Sequence, residues 1–152
     1  MNKKFKEMVD KMPLQLQQLL EGTPVSIESI GVTDVPNKGV YIFCENDKPI
    51  YVGRSNRMKE RLKEHSQISA DHYSATLAFR IAKQDFPAQQ RKLTNKQLRE
   101  DSDFEKKFNA AKKRIANAEI RFVEIEDQVE QSVFEIYAAF VLETELNDFG
   151  TH

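Results

Sequence analysis

Two short runs rich in β-branched and aromatic residues, 39–44 and 50–52, flank the polar cluster Glu45-Asn46-Asp47-Lys48. Such runs around an Asn/Asp turn predict a β-hairpin. The hairpin constrains its surroundings because successive side chains point to opposite faces. Tyr41 and Phe43 share one face of the first strand, and Tyr51 and Gly53 share one face of the second. Gly53 reads as the end of that second strand. Either tyrosine taken alone reads as an ordinary core aromatic of a hairpin.

Around the hairpin the pattern is mostly helical. Phe5, Met8, Val9, Met12, Leu16, Leu19 and Leu20 recur at three- and four-residue steps. Residues 2–20 therefore read as one amphipathic helix, stopped by Gly22 with Pro24 just beyond. Residues 25–30 alternate like a short strand, and 31–38 are turn-rich. A helix over about 56–65 follows the hairpin, with Met58 and Leu62 on its apolar side. Residues 71–115 are polar and helical in three pieces. One carries the stripe Tyr73, Leu77, Ile81 and Phe86 and ends at Pro87, a short one lies near 93–98, and the last carries Phe104, Phe108, Ala111 and Ile115. Residues 118–126 alternate as a third strand with Ile120 and Phe122 on one face, and 129–146 form a long closing helix. No repeat, low-complexity segment or linker divides the chain, so a single domain over 1–152 is expected, with an N-terminal extension at 1–35 and a helical insert at 70–116.

A chain of 152 residues can close one sizeable core. Its longest relevant apolar run, 133–142, is half of what a bilayer span needs and contains Glu135. The first twelve residues are charged throughout and carry no secretory pattern. One cysteine, Cys44, leaves no internal disulfide and no all-cysteine zinc site. These features predict a cytoplasmic protein with no membrane segment.

The net charge of −1 conceals a strong asymmetry. Residues 48–65 carry six Lys/Arg against two acids, and 80–115 carry eleven against five. Residues 116–152 carry one Arg against nine acids. Clustered basic charge of this kind suits a polyanion, while solvated helix faces are the plain alternative. In the insert, Lys106, Lys112 and Lys113 are candidates to track a phosphate backbone.

Two groups of residues invite a chemical reading. Arg54-Ser55-Asn56-Arg57 leads from the hairpin into a helix, where Arg57, Arg61 and His65 recur at four-residue steps on one face. The arginine fork suits a phosphate because it donates two parallel hydrogen bonds. Glu135 is the only carboxylate in 133–142. Either it is paired or metal-bound inside the apolar stripe, or it reaches solvent at the stripe's edge.

In order and spacing, the chain resembles the GIY-YIG nuclease domain. The likeness rests on GVY at 39–41 and YVG at 51–53. It continues with Arg61 ten residues after Tyr51, His65 one turn later, Glu135 on a late helix, and Asn147 twelve beyond. Valine replaces isoleucine in both signatures, and Arg54 stands where relatives often have lysine. The resemblance spans about 36–66 and 118–149. It implies an α/β (α+β) fold: a small three-stranded antiparallel sheet flanked by helices. It also implies DNA phosphodiester hydrolysis with one Mg²⁺ or Mn²⁺. Tyr41 would activate or orient the attacking water with Tyr51 beside it, Arg61 would hold the scissile phosphate, and Glu135 would ligate the metal. His65 matches a histidine that some members use near the nucleophile. Arg54, Ser55 and Arg57 would meet the substrate, and Asn147 would support the site. Specificity is expected from the insert, the N-terminal helix, a second copy or a protein partner. A nuclease-like module that binds DNA or protein without turnover is the other reading.

Overall fold

The hairpin closes through its turn chemistry. In the computed structural model, which describes residues 1–87 and 92–150, β1 (Gly39–Glu45) pairs antiparallel with β2 (Lys48–Ser55), Glu45 facing Lys48. The two linking residues, Asn46 and Asp47, both have positive φ, 49° and 63°. A two-residue turn of this hand matches strand twist, and Asn and Asp tolerate it better than most side chains. β2 does not end at Gly53 but runs through it to Ser55.

By its contacts the chain divides into two compact units, Met1–Lys59 with Ala118–His152, and Glu60–Asn117. In the first unit β3 (Glu119–Glu124) pairs antiparallel with β1, giving the order β2-β1-β3. This is the expected three-stranded antiparallel sheet, with helices flanking it. Gly53 and Phe122 lie opposite Tyr41, and Tyr51 and Ile120 lie opposite Phe43. One sheet face therefore carries the aromatic set. The other carries Val40, Ile42, Val52 and Val123, buried in a core with Met12, Leu16, Leu19, Phe134 and Ala138. Each large aliphatic or aromatic group fully buried there contributes about 1.5–3 kcal/mol.

The N-terminal segment is two helices, α1 (Lys3–Asp10) and α2 (Met12–Glu21), where the periodicity predicts one. Pro13 causes the break: it has no N–H and its ring clashes with the carbonyl four residues back, so it is tolerated only in a first turn. The expected strand at 25–30 shrinks to one bridge, Val25 with Ile120. A further helix, α3 (Met58–Ser66), starts in the first unit and continues into the second.

In the second unit, α4 (Thr76–Gln84) stops before Pro87, α5 (Asn95–Glu100) starts from a capping box of Thr94 and Gln97, and α6 (Ser102–Ala116) starts from Asp101, whose carboxylate accepts from two backbone N–H groups. Phe79, Phe86, Phe104 and Phe108 fill its centre in edge-on contacts, with ring centroids 5.1–5.5 Å apart. Lys112 belongs to this core and not to the surface. Its ammonium donates to the carbonyls of Ile68 and Ala70 at 2.9 and 2.6 Å and lies 4.0 Å from the Phe108 ring centre. Lys106, Lys107 and Lys113 are exposed.

The last helix, α7 (Gln128–Leu142), starts from Asp127 and ends where Glu143 adopts φ 51°. That left-handed turn stops it four residues short of the end that periodicity predicts. The chain beyond runs back along the free edge of β2, where the Leu146 N–H donates to the Ile50 carbonyl at 3.0 Å. Among the described residues no helix is long and apolar enough to cross a membrane.

Candidate active site

Gly53 lets Tyr41 reach the edge strand. A Cβ at Gly53 would collide with the Tyr41 ring and hydroxyl. The ring and its hydroxyl therefore lie over the glycine of β2. Tyr41 is 1% exposed and packs edge-on to Phe43 at 5.5 Å, with Tyr51 at 6.5 Å. Gly39 is required for a related reason, since a Cβ there would strike the Val123 carbonyl.

Arg54 is the next residue of β2 and faces the other way. It pairs with Val40 across the hairpin and so shares the sheet face covered by α7. There its Nε donates to Glu135 Oε2 at 3.1 Å. The Glu135 side chain is 23% exposed. Burial pushes its carboxyl above the ordinary range, and the Arg54 guanidinium pulls it back. Glu135 is thus both paired and at the edge of the buried stripe, the two readings left open by its sequence context. Adjacent residues of one edge strand bring the Tyr41 hydroxyl to one face and the Arg54–Glu135 pair to the other.

Polar residues within and outside the sequence motif hold these elements in place. Gln131, one turn before Glu135, is fully buried. Its amide donates to the Ile125 carbonyl at 2.7 Å and to Asn56 Oδ1 at 3.1 Å, tying α7 to the turn after β2. Its signal in the sequence is a glutamine on the same stripe as Phe134 and Ala138. Asn147 commits its amide to β2: Oδ1 accepts from the Val52 N–H at 2.8 Å and Nδ2 donates to the Val52 carbonyl at 2.9 Å. Thr144, which no sequence signal marks, donates to the same Asn147 Oδ1 at 2.7 Å. Ser55 Oγ accepts from the Arg57 N–H at 2.9 Å, which shapes the turn, and Arg57 is exposed just ahead of α3.

Arg61 and His65 belong to the second unit. Arg61 Nη1 donates to the Ser74 carbonyl at 2.7 Å and to Glu64 at 3.3 Å, and Nη2 donates to Thr76 Oγ1 at 3.2 Å. These use three of the five guanidinium donors and leave two for a ligand. His65 is fully buried. Burial, helped by the Arg61 charge, lowers its pKa to about 3, so it is neutral at physiological pH.

Among the described residues no three His, Cys, Asp or Glu side chains cluster. Cys44 is buried in the core of the first unit, and burial raises its thiol pKa. Glu135 offers a hard oxygen donor beside Arg54 of the edge strand. One carboxylate fits a divalent ion that takes the rest of its shell from phosphate and water, and not one caged by protein.

No curated protein and no solved structure matches the chain. A family model described as the GIY-YIG catalytic domain matches residues 37–136, about two thirds of the length. Its span takes in the hairpin, the whole second unit, β3 and α7 as far as Ile136, so that Glu135 is included. On that match, with the three-stranded sheet and the paired GVY and YVG strands, the chain belongs to the GIY-YIG catalytic domain family, a family of nucleases.

Proposed function

We propose that this chain is an endonuclease that hydrolyses DNA phosphodiester bonds with one Mg²⁺ or Mn²⁺. What supports the reading is the family match over residues 37–136, with Tyr41 seated on Gly53 and Glu135 paired to Arg54 on opposite faces of the same strand step. Tyr41 orients the attacking water through its hydroxyl, and Tyr51 flanks it. Glu135 holds the divalent ion, which supplies charge stabilisation at the leaving oxygen. Arg61, the phosphate-holding arginine by its position in the motif, keeps two donors for a phosphate. Phosphoryl transfer is mostly positioning and charge stabilisation, so few groups suffice if they are held firmly.

His65 takes a supporting part in this reading, not that of a proton carrier. A buried imidazole with a pKa of about 3 is too weak a base to activate water at neutral pH. Asn147 likewise supports β2, while Arg54, Ser55 and Arg57 line the approach of the substrate. Specificity then comes from the exposed lysines of the second unit, from a second copy of the chain, or from a protein partner.

Supercoiled plasmid incubated with purified protein tests the proposal. Nicking is expected with Mg²⁺ or Mn²⁺ and none in EDTA, with the melting temperature unchanged by chelation because the core does not use the ion. DNA binding without nicking under any divalent ion would replace this reading with that of a non-catalytic binding module. Full activity in EDTA would exclude the metal.

A further inference from the structure

Arg54 and Glu135 form an ion pair with unequal partners. The Glu135 carboxylate is largely withdrawn from water, whereas the Arg54 side chain is 45% exposed. Only Arg54 Nε is engaged, and Glu135 is the only side chain it bonds among the described residues. Both Nη groups therefore keep their donors for something outside the protein. The side chain projects from the edge strand one residue after the glycine that carries the Tyr41 hydroxyl.

A half-buried carboxylate stays ionised more readily beside a cation, because an unpaired charge there costs desolvation. Arg54 engages one carboxylate oxygen, so a divalent ion arriving at Glu135 meets the guanidinium charge beside it, and the two cations weaken each other's hold. We propose that Arg54 is a placeholder cation at Glu135: it neutralises and aims the carboxylate, yields it when a divalent ion binds, and then turns its Nη donors to a DNA phosphate. The inference rests on Glu135 being the metal ligand. Its consequence is that the ion binds weakly to the free protein and more tightly once DNA phosphate competes for Arg54. By linkage, the ion must favour DNA to the same degree. Arg54 is in this account a positioning residue that acts on the ion through Glu135.

Mn²⁺ binding to the DNA-free protein, measured by electron paramagnetic resonance at pH 8, tests this without turnover. Arg54→Gln removes the competing charge, so Mn²⁺ affinity should rise about fivefold, the scale of exchanging one half-exposed ion pair. Arg54→Lys keeps the charge and should stay within about twofold of wild type. Glu135→Gln should abolish binding. A thermal melt of each variant establishes that it is folded. A merely structural arginine would give equal or weaker Mn²⁺ binding in folded Arg54→Gln, and that result overturns the placeholder role while leaving the nuclease reading intact. Mn²⁺ binding unaffected by Glu135→Gln would overturn both the placeholder and the assigned ligand.

Discussion

Replacing Gly53 with alanine pits two effects of opposite sign against each other. No glycine among the described residues has a positive φ, so Gly53 is not needed for its backbone conformation. At such a site Gly→Ala alone stabilises by about 0.4–1 kcal/mol, through the lost freedom of the unfolded chain. The new methyl, however, would overlap the Tyr41 ring and hydroxyl. Tyr41 is 1% exposed with Phe43 and Tyr51 beside it, so the ring cannot swing aside freely. Overpacking of this kind costs about 1–3 kcal/mol. The steric effect wins, and Gly53→Ala should destabilise by about 1–2 kcal/mol in urea titration. The double variant locates the cause. Tyr41→Ala alone should cost about 3–5 kcal/mol, by analogy with other large aromatic truncations. Adding Gly53→Ala to it should then cost little, with a coupling energy of about 1–3 kcal/mol. Unchanged stability in Gly53→Ala, or additivity within about 0.5 kcal/mol, would refute the argument that the glycine exists to seat the tyrosine.

Arg61→Ala and Glu135→Ala should each lower plasmid nicking a hundredfold or more in folded protein, since losing one transition-state donor typically costs about 2.7–4 kcal/mol; undiminished nicking by either would remove it from the site. Tyr41→Phe keeps the ring and should be severely impaired, whereas normal cleavage would make the hydroxyl dispensable. His65 titrates near 6.5 unfolded and about 3 folded, so its contribution to stability is present above pH 6.5 and is lost as pH falls towards 3. Stability should drop by roughly 1 kcal/mol per pH unit between 6.5 and 5, and a folded His65→Gln variant should flatten that slope in thermal melts. Lys112→Ala leaves the Ile68 and Ala70 carbonyls unpaired and should destabilise by about 1–3 kcal/mol or more. Lys106→Ala and Lys113→Ala should instead make the salt dependence of DNA affinity shallower, by about 0.9 for each lost phosphate contact. A stable Lys112→Ala with a reduced salt slope would return that lysine to the surface.

Elements set by local chemistry are legible in the amino-acid sequence. The Asn46-Asp47 turn requires two left-handed residues and has two residue types that accept them. Alternation puts Ile120 and Phe122 on one face of β3, and they stand opposite Phe43 and Tyr41. Boundaries escape the pattern where one residue overrides it. Periodicity runs unbroken through residues 2–20, but Pro13 divides the helix. Leu146 continues the apolar pattern of α7, but Glu143 turns the chain and sends Leu146 to the edge of β2 instead. Lys112 looks like its neighbours Lys106 and Lys113 in sequence, because a cation serving two carbonyls and a cation serving solvent are the same letter.

Gly53 shows why a site can be legible as a spacing while its chemistry stays hidden. Its letter suggests a strand end, a local explanation, and the strand continues. The actual cause is a pairing that sequence separation hides: Tyr41 lies twelve residues away and directly opposite. One missing side chain lets the tyrosine cross to the edge strand. The next residue must then face the opposite way, because strand side chains alternate. That geometric necessity puts Arg54 under α7 beside Glu135, although 81 residues separate them. Tyr41 and Glu135 are thus brought to one step of β2 by the strand's pleat, from opposite faces. A substitution that slipped the β1–β2 register by one residue would exchange those faces of β2, taking Arg54 from Glu135 and Gly53 from under Tyr41 while every residue of the motif remains.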